Sequence, residues 1–168
     1  GRDNQDMTSC GYIYRKDRVK PYGEMVHGYA DTASHYHYRL VAIGFEELAS
    51  GERLVLNINH LRSKRGTGSE SNEKRMVNVD SLMVMLNNIQ EQQLFADEDI
   101  LLVGDYNSYT YEQPLQTIIA AGFEDVLMHY APQGYSYVYN SESGYLDRVF
   151  ASPTMSKQVK MVQPYHLN

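Results

Sequence analysis

The stretch Ile100-Leu101-Leu102-Val103-Gly104-Asp105-Tyr106-Asn107 decides how this chain reads. Four consecutive β-favouring apolar residues predict a strand buried on both faces, the kind found inside a sheet rather than at its edge. Gly104 ends the run, which puts Asp105 where a central strand opens into a loop. A carboxylate and an amide two residues apart at such a strand end can project into one cleft. There the Asp can accept a proton from water or hold a divalent cation through oxygen, and the Asn can bond a phosphate oxygen or add a neutral ligand. The same residues also make an ordinary turn after a strand, and the segment alone does not separate the two.

On the N-terminal side, Asn72, Arg75, Met76, Val79, Leu82, Met83, Leu86 and Ile89 recur at i, i+3, i+7, predicting an amphipathic helix to about Phe95. Met76, Met83 and Met85 read as packing on that helix. The segment Arg62 to Asn72, rich in Ser, Gly and cations, has loop composition. Tyr36 to Phe45 and Leu54 to Ile58 alternate apolar and polar positions across the polar link Glu46 to Glu52, predicting two strands in a hairpin-like pair. Gly11 to Tyr14 reads as a short strand, Arg15 to Lys20 as a basic loop, and Pro21 with Gly23 as a turn. On the C-terminal side, Asp97 to Asp99 is a turn and Pro114 to Ala121 a short helix stopped at Gly122. Tyr135 to Tyr139, Leu146 to Ala151 and Val159 to Val162 read as strands. Helices among many strands predict a layered α/β or α+β domain, with residues 1–168 forming one unit.

Composition narrows the function. The 168 residues carry 15 Lys plus Arg against 21 Asp plus Glu and are 42% apolar. That describes a folded domain, not a disordered tail. A net charge of −6 argues against a protein that coats nucleic acid through surplus cations, yet leaves room for an enzyme whose acidic residues hold a cation facing a phosphate. No run approaches the roughly 18 apolar residues of a membrane span. Cys10, the single cysteine, has no neighbour that would activate it.

Three other segments carry candidate chemistry. His60 leaves the strand Leu54 to Asn59 beside the cationic loop of Arg62 and Lys64, where an imidazole can protonate or bond a phosphate oxygen; a structural role is the alternative. Asp147, in Tyr145-Leu146-Asp147-Arg148-Val149, sits in an apolar strand pattern where an unpaired charge is costly, so a partner is expected: Arg148, a His or a metal. His35 and His37 would share a face if extended, half of a zinc site, but lack a Cys or acidic neighbour.

Taken together the segments resemble the endonuclease/exonuclease/phosphatase superfamily, the fold of pancreatic deoxyribonuclease, and within it the bacterial extracellular nuclease-like branch. Tyr12-Ile13-Tyr14-Arg15 is similar to that branch's tyrosine strand. Asn59-His60-Leu61-Arg62-Ser63-Lys64 resembles its Asn-His-Leu-Lys-Ser-Lys motif, and Gly104-Asp105-Tyr106-Asn107-Ser108-Tyr109 its Gly-Asp-Phe-Asn-Ser-Tyr motif. Tyr135-Ser136-Tyr137-Val138 leading to Gly144-Tyr145-Leu146-Asp147 is the fourth, and the likeness runs from about Gly11 to the end of the chain.

The resemblance implies an α+β fold, part of a four-layer α/β/β/α sandwich with two mixed sheets packed face to face. It implies metal-dependent phosphodiester hydrolysis, with DNA or RNA as substrate; phosphoinositide or sphingomyelin-like phosphoesters are the alternative, and a non-catalytic binding module on the same scaffold is another. By it His60 contacts phosphate, Asp105 orients or deprotonates water, Asn107 bonds the reacting phosphate, and Asp147 holds a second histidine. Tyr14, Arg39, Arg62 and Lys64 line the phosphate site, and Asp105 with Asn107 contributes to a site for Mg²⁺, or Mn²⁺ or Ca²⁺ in its place. Secretion or periplasmic location is implied as well.

Two elements of the family pattern are missing. An early metal-binding Glu would have to precede the tyrosine strand, whereas Glu24, Glu46 and Glu47 follow it, and no Ser-Asp-His motif closes the chain. The expectation is therefore a portion of a longer enzyme, weakly active or inactive alone, with exposed sheet surface that favours self-association.

Overall fold

A computed structural model describes residues 9–29, 39–64, 68–95, 97 and 99–165. The alternating segments form strands β2 (Leu40–Glu47) and β3 (Arg53–His60), an antiparallel pair, and β1 (Val19–His27) runs antiparallel beside β2; positions 36–38 of the expected strand lie outside the described residues. Helix α1 (Gly68–Glu91) then carries the chain to β4 (Ile100–Asp105), which lies parallel to β3. A parallel pair needs such a long crossover because a tight turn can only reverse the chain. Next come α2 (Gln113–Ala120), β5 (Glu124–Asp125), α3 (Val126–Tyr130), the hairpin of β6 (Tyr137–Tyr139) and β7 (Glu142–Gly144), then β8 (Asp147–Ala151) and α4 (Pro153–Ser156). The main sheet runs β1-β2-β3-β4-β8-β5 and is mixed; β6 and β7 form a second sheet by themselves. The architecture is α+β, with β4 in the interior of the sheet as its unbroken apolar run predicts. The second sheet is smaller than the face-to-face partner expected.

Side-chain alternation gives the sheet two unlike faces. Ala42, Val55, Ile100, Leu102 and Phe150 point to one side, where Val79, Leu82, Leu86 and Ile89 of α1 and Leu115 and Ile118 of α2 cover them completely. Burial of each large side chain there contributes about 1.5–3 kcal/mol. The other side presents Val41, Ile43 and Phe45 from β2, Leu56 and Ile58 from β3, Leu101 and Val103 from β4, and Val149 from β8. Tyr12 and Tyr14 lie edge-on against Phe45, with ring centroids 5.7 and 5.3 Å away. The β3, β4 and β8 residues of that face remain half-buried.

Several sequence expectations are corrected. Gly11 to Tyr14 joins no ladder, and pairing begins at Val19, inside the run read as a basic loop. The reason is position: β1 is an edge strand, which tolerates charges and Pro21, and its register shifts between Tyr22 and Val26, around Gly23 at φ +75°. Helix α1 starts within the polar segment read as loop, because its first turn is solvated and braced by a Glu70–Lys74 pair. It stops before Phe95, yet Phe95 is buried in the core, its ring filling the space that Gly23 and Gly44 leave open. Val159 to Val162 forms no strand; the Val159 carbonyl instead accepts the Tyr130 hydroxyl at 2.7 Å. The His35 and His37 pair lies outside the described residues.

Candidate active site

Strand register places the chemistry-bearing residues in one row. His60 is the cross-strand partner of Asp105, and Asp105 that of Asp147, so β3, β4 and β8 bring an imidazole and two carboxylates to the same level of the same face. Arg39, just before β2, extends the row: the His60 N–H donates to its carbonyl at 2.9 Å. Four residues separated by up to 108 positions in sequence thus occupy neighbouring strands. They stand at the rim of the half-buried apolar face, where each β3 or β4 strand ends and its backbone need no longer pair.

Asp105 is both the turn-former and the cleft residue. Its Oδ1 accepts the Asn107 N–H at 2.8 Å, while Oδ2 lies 4.0 Å from His60 Nε2. Burial pushes its carboxyl above the ordinary range and the Asp147 carboxylate adds to the rise; the Asn107 N–H and His60 oppose it. Asn107 adopts φ +47°, a conformation Asn tolerates, and its Nδ2 donates to the Leu61 carbonyl at 3.1 Å. The Gly-Asp-Tyr-Asn segment forms a turn, and that turn aims the Asp105 carboxylate into the cleft. Gly104 permits it, since at φ +138° a Cβ would sit 1.9 Å from the Asn59 carbonyl oxygen.

Between these two residues, Tyr106 turns the opposite way and is fully buried, its ring edge-on to Phe150 at 5.3 Å. Its hydroxyl accepts from Asn59 Nδ2 at 2.8 Å, and burial raises its pKa strongly. This pair ties the end of β3 to the end of β4 from beneath, an anchoring role that the motif spelling alone does not reveal. Ser136 was also missed by sequence reasoning. Its Oγ accepts the N–H groups of Leu146 and Asp147 at 3.2 and 3.1 Å and so fixes where β8 enters the row. The signal available was its place in Tyr135-Ser136-Tyr137, just before the hairpin.

Asp147 is exposed, so the burial cost expected for it does not arise. Arg148 is not its partner, because adjacent strand residues point to opposite faces. The Arg148 guanidinium is buried on the core side, 3.0 Å from Asp125 Oδ2 and 2.9 Å from Thr110 Oγ1. Arg39 is only 3% exposed and joins the row. Arg62 follows His60 by two residues, its N–H held by Asn78 Oδ1 at 2.9 Å. Lys64 lines the cleft but its ammonium is paired with Glu112 and lies 4.2 Å from the Tyr109 ring centroid. Tyr14 is not brought to the row. It rests on Phe45, six residues from Arg39 along β2, roughly 20 Å away at strand spacing. Cys10 donates to the Arg39 carbonyl at 3.6 Å, and burial raises its thiol pKa, in keeping with an unreactive cysteine.

The cleft beside the row has a volume of about 560 Å³. Asp105, Asn107 and Asp147 form one wall, and Tyr109, Tyr137 and Tyr139 another. A larger cavity of about 840 Å³ lies at the opposite end of β4 and β8, beside Asp99 and Ser152, and contains none of the row. Among the described residues no three His, Cys, Asp or Glu side chains cluster as a metal site, and no helix is long and apolar enough to cross a membrane.

No family model and no curated protein matches the sequence. Solved structures do. An endonuclease/exonuclease/phosphatase family protein from Bacteroides thetaiotaomicron superposes with a TM-score of 0.59 at 16% identity, over 83% of this chain and 53% of its own. The catalytic domain of human Nocturnin gives 0.56 at 19%, over 82% and 50%. A D. rerio TDP2 humanised by 14 mutations gives 0.55 at 25%, over 82% and 54%. The chain therefore spans about half the length of the structures it matches. The mixed sheet, the row at its rim and these superpositions lead to one statement: this chain carries the α/β sandwich fold of the endonuclease/exonuclease/phosphatase proteins.

Proposed function

We propose that the protein to which this chain belongs hydrolyses phosphodiesters, with DNA or RNA as the substrate. The observation that carries this reading is the register row Arg39, His60, Asp105, Asp147, together with Asn107 in the turn that aims Asp105. Ionised Asp105 accepts a proton from the attacking water. His60, 4.0 Å from it, bonds a phosphate oxygen and limits how far the carboxyl pKa rises. Asn107 presents its amide to the reacting phosphate, and Arg39 supplies positive charge at the far end of the row.

The donor set suits a hard cation. Asp105 and Asp147 are cross-strand neighbours whose charges oppose one another, and Asn107 adds an amide oxygen beside them. Mg²⁺ is held by one or two carboxylates with water and substrate oxygens completing its shell; Mn²⁺ or Ca²⁺ would take similar donors. Such an ion neutralises charge developing on the phosphoryl oxygens. Asp105 and Asn107 would hold it, with Asp147 close by.

The test is cleavage of DNA, RNA and lipid phosphodiesters by the full-length protein and its Asp105→Ala and His60→Ala variants. Each substitution is expected to lower nuclease turnover by about 10²- to 10⁴-fold with the fold retained. Turnover unchanged by Asp105→Ala, or a strong preference for lipid, would overturn the reading.

A further inference from the structure

We infer that the tyrosine wall of the cleft stacks the unpaired bases of a single-stranded nucleic acid, so that the strand beyond the reacting phosphate is gripped by its rings rather than by further phosphate contacts. This rests on the nuclease reading above and narrows it to single strands. Tyr137 and Tyr139 lie on the same side of β6, nearly parallel at 16° with centroids 6.3 Å apart, and are 42% and 60% exposed. Large apolar rings left in water have a cost that packing normally removes. Here they border the same cleft as Asp105, with Tyr109 (41% exposed) beside them.

Charge argues the same way. Two carboxylates face the cleft, and among the described residues that line it the cation is Lys64, paired with Glu112. A polyanion would gain little there from phosphate contacts, and the whole chain is acidic. Stacking on aromatic faces supplies affinity without surplus cations, because every base has a π-face. Ring faces repeated along a strand suit a polymer of planar units, which a single strand is and a lone sugar phosphate is not. A duplex keeps its bases stacked on one another and cannot offer them.

The hairpin makes this geometry. Among the described residues β6 and β7 pair only with each other, through Tyr137–Gly144, Val138–Ser143 and Tyr139–Glu142, and Gly144 lies against the Tyr109 ring, where a Cβ would come within 3.1 Å. The wall is thus carried beside the row by an element with its own ladder, whose loss need not unfold the main sheet.

The experiment uses the full-length protein with Asp105→Asn, so that substrate stays intact, and measures binding of a single-stranded oligothymidine and of an abasic oligomer of the same length. Oligothymidine is expected to bind roughly 5- to 100-fold more tightly, with log K falling against log salt at a slope no steeper than about −1. Tyr137→Ser and Tyr139→Ser are expected to erase most of that difference, whereas Tyr137→Phe and Tyr139→Phe keep it, which separates lost stacking from a lost hairpin. Equal binding of the two oligomers, a steep salt slope, or serine variants that still prefer bases would overturn the inference even where wild-type protein cleaves DNA or RNA. Base-dependent binding without cleavage by the wild type would instead leave the stacking wall standing and remove the nuclease reading.

Discussion

The two faces of the six-stranded sheet differ in what they do with polar residues. On the helix-covered face buried polar side chains are paired with one another: Arg148 is held by Asp125 and Thr110, and Asn59 by Tyr106. On the other face the charges sit at the rim and are left facing one another, Asp105 against Asp147, with His60 at 4.0 Å. Residues 147 and 148 make the contrast within one peptide unit. The closed face holds the sheet together, and the rim of the open face keeps Asp105 where burial and the Asp147 charge disfavour its ionised form.

The largest expected effect that sharpens this comparison is on the closed face. Asp125→Ala strands the Arg148 guanidinium in the core and is expected to cost about 3–5 kcal/mol, read by chemical denaturation. A loss below about 1 kcal/mol would mean that the pair is not buried in solution.

The rim should behave in the opposite sense. Asp105→Asn keeps an oxygen to accept the Asn107 N–H but removes a charge that burial and Asp147 disfavour. A carboxyl whose folded pKa is raised binds its proton more tightly when folded, so its ionisation lowers stability as pH rises through the unfolded and then the folded value. Asp105→Asn is therefore expected to be more stable than the wild type at neutral pH and to lose that advantage as pH falls below the unfolded pKa, while hydrolysis is lost. A melting series from pH 3 to pH 8 in which the variant's advantage does not grow with pH would refute the sign. The smallest effect belongs to Tyr14. Resting on Phe45 and away from the row, Tyr14→Ala should change turnover by less than about threefold, and a hundredfold loss would return it to the site.

Much of this was legible in the residues. The apolar run Ile100 to Val103, the alternation of Leu54 to Ile58 and the spacing from Val79 to Ile89 report periodicity, and periodicity follows from how a backbone faces a core. The candidates His60 and Asp105 were readable as strand-end residues for the same reason, with Asn107 in the turn that follows, whereas Asp147 read as a charge within an apolar strand. Less was legible at the edges. β1 carries Pro21 and the charges of Lys20 and Glu24 and reads as loop because an edge strand is only partly covered, and the first turn of α1 reads as loop because it is solvated.

By itself, then, the sequence determined the interior strands β3 and β4, the body of α1 and that His60 and Asp105 stand at strand ends, because those depend on local spacing and burial. Only the tertiary structure decided that Arg39, His60, Asp105 and Asp147 form one row, that Arg148 serves the core instead, that Tyr14 lies elsewhere and that three tyrosines wall the cleft. Register and the face on which a side chain emerges are set by pairing between segments far apart in the chain, and no local pattern carries that information.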